Sequence, residues 1–352
     1  MERPILAIAT GDPLGVGPEV TVKALHDAAL WGNTRLLVLG SVPVLTRAAR
    51  QVGVEVGFRA VQGPAQARYE HGTLDVMELG ITGLEDLPQG TVQALAGRAS
   101  VEYVIRSAEL ALDGAVDAVV TGPIHKEAVQ AGGYTQYIGN TEIYEDVCTR
   151  RTGTDYHGRC MTMLITKSLR VAHVTRHVPF KDIVSRLTPA KLEETIRLTV
   201  AGMASLGIAD PRVGVAGLNP HNGEHGLIGR EEGELIEPVI AALRREGLRV
   251  EGPVPADSIF FKAIGGAYDA VVAMYHDQGH IAIKVHGFEE SITVSLGIPV
   301  IRTSVDHGTA FDIAGQGIAT AKSMTAALHL ARDIVRVGRW QDGLRAAQAA
   351  AS

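Results

Sequence analysis

Residues 5–10 read ILAIAT, residues 10–19 read TGDPLGVGPE, and the chain runs on through PEVTVKALHDAAL at 18–30. A short apolar run closed by glycine is a strand buried on both faces, and the spacing that follows is helical. Pro18 falls at the first helical position, where its missing N–H costs nothing. A buried strand, a glycine turn and a helix make the repeating unit of an α/β sheet.

The unit recurs outward from there. RLLVLG (35–40) reads as a strand and VPVLTRAARQVG (42–53) as its helix, followed by a less regular stretch over 54–90. SVEYVIRSAELALDG (100–114) reads as a helix with Ser100 as N-cap, and DAVVTGP (117–123) as the next strand. A polar, glycine- and tyrosine-containing segment fills 122–158. CMTMLIT and LRVAHVT then form a hairpin around Lys167 and Ser168. Helix and strand alternate again: TPAKLEETIRLTVAGMASLG, RVGVAGLNP, REEGELIEPVIAALRREG, YDAVVAMYH. SITVSLG and PVIRTSV precede a glycine-rich loop and a last helix. The expected architecture is a three-layer α/β/α sandwich with a mixed central sheet.

The chain has 352 residues, enough for two lobes around a cleft. Boundaries are expected to put 1–128 with 300–352 on a nucleotide-binding side, and 129–299 in a metal, substrate and dimerisation subdomain. A net charge of −6 argues against a nucleic-acid partner, and an anionic substrate would need a few local basic groups. Cys148 and Cys160 read as two reduced thiols, with neither disulfide nor thiolate-site spacing. MERPILAIATGDP lacks a signal-peptide pattern, and no apolar run approaches the ~18 residues of a membrane span. A cytoplasmic location with no membrane partner is therefore expected.

Of thirteen histidines, three close an apolar strand and open a polar loop: His177, His221 and His276. Ligands collect outside the carboxyl ends of strands in α/β sheets, and three imidazoles with an open position suit a catalytic divalent metal. Hydrogen-bonded structural histidines are the competing reading, since the separations match no local ligand motif. His173 competes with His177, because four residues along a strand return to the same face; the turn at Pro179 favours His177. His280 and His286 read as supporting or surface groups.

With these segments in view the chain resembles the 4-hydroxythreonine-4-phosphate dehydrogenases of vitamin B6 (pyridoxine) synthesis and their catabolic relatives. The likeness spans nearly the whole length. It is carried by TGDPLGVGPE (10–19), TGPIHKEA (121–128), GNTE (139–142), HVP (177–179), GLNPHNGEHGLIGREE (217–232), PADS (255–258), MYHDQGHIAIK (274–284) and IRTSVDHGTAFDIAG (301–315). The resemblance implies that His177, His221 and His276 bind one divalent metal, zinc first, with magnesium, manganese or cobalt as alternatives. It further implies a homodimer in which one ligand comes from the partner subunit, and it places Asn140, Thr141, Lys284, Thr293 and Arg302 on a small anionic substrate. VDHGTAFDIAGQGIAT (305–320) resembles the adenosine loop of isocitrate and isopropylmalate dehydrogenases, which implies NAD or NADP on His307, Gly308, Thr309 and Asp312. TGDPLGVG lacks the dinucleotide fingerprint spacing and reads as a tight turn or an anion-binding turn.

The chemistry so implied is metal-assisted, NAD(P)-linked oxidation of a phosphorylated 3-hydroxy acid, followed by decarboxylation of the β-keto acid. Asp277, Asp257 and Lys126 are candidates for the catalytic base, the aspartates equally for orienting a ligating imidazole. His125 and His307 read as proton relays or loop donors. Two positions depart from the family pattern: Asn140 replaces a histidine, and Thr293 replaces an asparagine. With the HDQGHI form at His280, they open D-threonate or D-erythronate 4-phosphate, or a cyclohexadiene diol dicarboxylate, as alternative substrates. A three-histidine metal hydrolase and a non-catalytic sensor are the readings from other classes.

Overall fold

The computed structural model describes residues 2–351, with side chains to Arg345. The strands are β1 (Ile5–Ala9), β2 (Arg35–Leu39), β3 (Gly57–Val61), β4 (Thr73–Met77), β5 (Ala118–Thr121) and β6 (Met161–Thr166). They continue with β7 (Leu169–His173), β8 (Val213–Ala216), β9 (Val250–Val254), β10 (Ala270–Ala273), β11 (Ile292–Leu296) and β12 (Arg302–Val305). The chain divides into two compact units, Met1–Cys160 with Ile298–Arg336 and Met161–Gly297 with Val337–Ser352.

The first unit holds β3-β4-β2-β1-β5-β12, every neighbouring pair parallel. β1 and β2 are apolar and buried throughout their centres, as ILAIA and RLLVL dictate. From β1 the chain works outward through β2 to β3 and β4, then re-enters on the other flank of β1 as β5. The strand order therefore reverses between β1 and β5.

The second unit holds β11-β6-β7-β10-β8-β9 and supplies the mixed character. β11–β6 and β6–β7 are antiparallel, and the other pairs parallel. The β6–β7 hairpin closes over Lys167 and Ser168 as expected, with Lys167 at φ 53° in the place glycine usually takes. Val171, Val271 and Ala273 turn one face of this sheet into a core with Ile259, Ala263 and Ile283 from helices Ala256–Ile264 and His276–Gly287.

Several expectations are corrected. The stretch 54–90 contains two strands, β3 and β4. The apolar pattern hides β4 because Asp75 lies fully buried inside it, held by Arg59 at 2.9 Å and by the amides of Arg68 and Tyr69. Ser100 is not an N-cap: the helix begins at Ala94, and Ser100 Oγ donates to the Gly97 carbonyl within it. Contacts divide the chain after Cys160, Gly297 and Arg336, where boundaries at 128 and 299, with 300–352 kept whole, were expected. Helix Asn140–Thr152 stays with the first unit because buried Tyr144 meets Ser107 of helix Ala94–Leu112 at 2.8 Å. Cys148 and Cys160 are buried and not joined in a disulfide. Among the described residues no helix is long and apolar enough to cross a membrane.

Candidate active site

β7 and β10 are parallel neighbours, with His173 opposite Ala273. The pairing continues past the strand ends, where Val174 and Thr175 donate to the carbonyls of Ala273 and Met274. Two loops far apart in sequence therefore leave the sheet together. His177 and His276 ride on them, with ring centroids 5.6 Å apart.

His276 is not the end of a strand, as the sequence suggested, but the first residue of helix His276–Gly287. Its Nδ1 lies 2.7 Å from Asp277 Oδ1, a carboxylate that can only accept, so Nδ1 carries the proton of this contact. One turn on, His280 stacks on His276 with centroids 3.6 Å apart and planes 13° from parallel, and its Nδ1 sits 3.1 Å from the His276 carbonyl. His173 packs behind His280 at 4.8 Å. His173 is buried with both ring nitrogens unpartnered, and burial, with His280 and His276 beside it, holds its pKa well below the usual value. Helix and strand approach so closely here that a Cβ at Gly279 would fall 2.2 Å from His173 Nε2. Of the two rings that strand periodicity alone could not separate, His177 lies beside His276, and His173 is packed behind His280.

His221 leaves β8 in a left-handed run, His221 to His225, with φ between 45° and 72°. Left-handed backbone costs about 1–2 kcal/mol for each non-glycine residue, so the surroundings must impose it. Glu232, 3% exposed, does much of this: one oxygen accepts the amides of Leu218 and Asn219, and the other accepts Asn219 Nδ2. Asn222 Nδ2 adds a bond to the Pro253 carbonyl. His221 and Asp257 share a cavity of about 490 Å³ with Tyr275 and Gln278. Gln278 joins the loops after β8 and β10, accepting from Met274 N–H and donating to the Gly217 carbonyl.

Among the described residues no three His, Cys, Asp or Glu side chains gather as a metal-holding group. His177 and His276 supply two neighbouring imidazoles, fewer protein donors than a zinc site takes. Lys284 lies two turns after His276 with Nζ 5.0 Å from the Phe288 ring, and Thr293 lies on β11 opposite Leu164.

The remaining expected residues belong to the first unit. Arg302 is buried on β12, donating to Thr121 Oγ1 at 2.9 Å and lying over the Tyr144 ring. Asn140 and Thr141 open helix Asn140–Thr152, where Asn140 Nδ2 donates to the Gly122 carbonyl at 3.3 Å and Oδ1 has no partner. Lys126 is exposed at the start of helix Lys126–Ala131. His307 Nδ1 sits 2.9 Å from the carbonyl of exposed Gly308, and Asp312 is exposed with its carbonyl on Gln316. Buried Thr309 accepts Val16 N–H at 3.0 Å, so the β1 turn and the 305–320 loop are bound together. Their approach leaves no room for a side chain at Gly15, whose Cβ would fall 2.8 Å from the Thr309 carbonyl. Gly315 N–H to Glu19 and Lys23 Nζ to Gly317 O extend the contact.

Sequence reasoning missed Glu232, Gln278 and Asp12. All three lie inside motifs already singled out, and their polarity beside apolar segments was the available signal. Asp12 is fully buried with Oδ2 unpartnered, and burial pushes its pKa up to about 6 against the pull of Leu14 N–H and His125.

Paired imidazoles follow β7 and β10 in the second unit, and a buried carboxylate, Asp12, and a buried arginine, Arg302, lie in the first. The family described as "Pyridoxal phosphate biosynthetic protein PdxA" matches residues 32–331. The chain belongs to the PdxA family, and it is a dehydrogenase. It is 45% identical to the D-threonate 4-phosphate dehydrogenase of Cupriavidus necator, over 92% of this chain and 95% of that protein. A crystal structure of a 4-hydroxythreonine-4-phosphate dehydrogenase from Burkholderia phymatum is 44% identical, with a TM-score of 0.80 over 95% of this chain and 99% of that one. A terephthalate 1,2-cis-dihydrodiol dehydrogenase from Burkholderia xenovorans is 34% identical, with a TM-score of 0.62 over 94% and 98%.

Proposed function

We propose that the chain oxidises the secondary alcohol of a phosphorylated 3-hydroxy acid, using NAD or NADP and one divalent metal, in the cytoplasm. The observation that carries this reading is the pairing of His177 with His276, whose Nδ1 is held by Asp277. His177, His221 and His276 would hold the metal, zinc first. Because one chain gathers only two of these rings, we assign the third to a second copy of the chain in a homodimer. A divalent metal held there would supply stabilisation of negative charge on the alcohol oxygen and, once CO2 is lost, on the enolate.

This chain's residues do the rest. Asp257, Asp277 or Lys126 would take the hydroxyl proton, and a bound nicotinamide would supply the hydride acceptor. The resulting β-keto acid loses CO2 and is protonated as a ketone. Arg302 and Lys284 hold the anionic ends of the substrate, with Asn140, Thr141 and Thr293 bonding hydroxyl or phosphate oxygens. His307, Gly308, Thr309 and Asp312 receive the dinucleotide. A neutral Asn140 in place of a histidine, together with the 45% identity to a D-threonate 4-phosphate dehydrogenase, supports a four-carbon sugar acid phosphate as substrate. Such a substrate gives a phosphorylated three-carbon ketone.

The test is a panel of D-threonate and D-erythronate 4-phosphates, 4-phosphohydroxy-L-threonine and a cyclohexadiene diol dicarboxylate. NADH or NADPH production is followed with added zinc, magnesium or manganese. Preferred turnover of a four-carbon acid phosphate is expected. Cofactor-independent release of phosphate would instead establish a three-histidine hydrolase.

A further inference from the structure

The strand order of the first unit reverses between β1 and β5, and open parallel sheets take ligands outside the carboxyl ends at such a point. Asp12 follows β1 and His125 follows β5. Asp12 N–H donates to the Pro123 carbonyl at 2.9 Å, which ties the two loops together. Asp12 Oδ1 accepts Leu14 N–H at 2.9 Å, while Oδ2 is buried with no partner. The His125 ring lies flat on Phe311, centroids 4.4 Å apart and planes 9° from parallel, and its Nδ1 is also buried and unpartnered. Phe311 belongs to the loop that Val16 binds through Thr309.

A buried acceptor without a donor costs about 1–3 kcal/mol, and such atoms are retained where something else completes them. An anion does not suit this turn, since Asp12 and buried Glu19, whose Oε2 is unpartnered as well, both face it with carboxylates. A flat aromatic wall beside a lone acceptor suits a planar ring that carries a hydrogen-bond donor.

We propose that Asp12 and His125 form a recognition site for a planar heteroaromatic ring bearing an exocyclic N–H2 group, which Asp12 Oδ2 accepts. Both ends of a nicotinamide dinucleotide carry that chemistry, as the carboxamide and as the adenine amino group. The inference rests on the dinucleotide reading above.

Calorimetric titration of wild type and Asp12→Asn tests it, with NAD+, NADP+, 3-acetylpyridine adenine dinucleotide and nicotinamide hypoxanthine dinucleotide as probes. Asn keeps an acceptor for Leu14 and turns the unpartnered oxygen into a donor. Wild type is expected to bind one of the two analogues at least tenfold more weakly than the natural cofactor. A weak acetylpyridine analogue identifies the nicotinamide end as the source, and a weak hypoxanthine analogue the adenine end. Asp12→Asn is expected to bind the cofactor about tenfold more weakly and to lose that discrimination. Equal wild-type binding of both analogues and cofactor, or discrimination that survives in Asp12→Asn, overturns the assignment while leaving the dinucleotide reading intact. Wild type that binds neither NAD+ nor NADP+ overturns both.

Discussion

His276 and His280 lie face to face, one helical turn apart, with ring centroids separated by 3.6 Å. Asp277 holds the edge of His276, His280 covers its face, and His173 fills the space behind. The imidazole is thus fixed in both tilt and rotation before any ligand arrives. Groups that orient a ligating histidine typically contribute 10–100-fold in metal affinity. His280→Ala is therefore expected to weaken zinc binding about tenfold, measured by competition with a chromogenic chelator. His280→Phe, which keeps the stack, should restore most of that loss. If the Phe variant is as weak as the Ala variant, stacking is not what His280 contributes.

Gln278 bonds the Met274 amide and the Gly217 carbonyl, both buried. Gln278→Leu leaves one donor and one acceptor unsatisfied, at about 1–3 kcal/mol each. Urea unfolding should show a loss of about 2–5 kcal/mol, with Gln278→Glu in between because it keeps the acceptor for Met274. A neutral Leu variant would show that water replaces the clamp.

The left-handed run that carries His221 depends on Glu232. Glu232→Ala removes three hydrogen bonds from a strained loop. A stability loss of about 2–4 kcal/mol is expected, together with a fall in kcat/KM larger than that of Gln278→Leu. Glu232→Gln keeps one accepting oxygen and should recover part of both. Unchanged kcat/KM in the Ala variant would detach the loop from catalysis.

Asp12 yields a pH prediction. Its carboxyl is raised from 3.8 to about 6 by burial, so the folded chain holds this proton more tightly than the unfolded chain does. The ionised form opposes folding above pH 6, and the opposition fades as pH falls through 6 and is gone below 3.8. A gap of about two units corresponds to ~3 kcal/mol at neutral pH. In the ligand-free protein Asp12→Asn should be more stable than wild type by about 2–3 kcal/mol at pH 7.5, and equal to it near pH 4. Equal stability at both pH values would mean that Asp12 is not desolvated in solution.

How much of this was legible beforehand depends on the range over which each feature is determined. The β1 strand, the Gly–Pro18 turn and its helix, and the β6–β7 hairpin followed from apolar runs and turn residues, which act over a few positions, whereas His177, His221 and His276, read as strand ends, lie beyond the ends of β7, β8 and β10. The sequence also separated apolar strand from polar loop well enough to nominate the family motifs. β3 and β4 escaped because Asp75 is buried by partners elsewhere in the chain, and Ser100 misled because its hydroxyl finds Gly97 inside an established helix.

Residue types, local periodicity and the loops that leave the strands were thus determined by the sequence alone. Only the tertiary structure decided that β7 lies beside β10, which brings His177 to His276, puts His280 against the ring and buries His173 beneath. It alone decided that Asp12 would lose its water and keep an unpartnered oxygen. Strand neighbours are chosen by packing between segments about a hundred residues apart, and burial by every element that closes over a group. No window along the chain contains either.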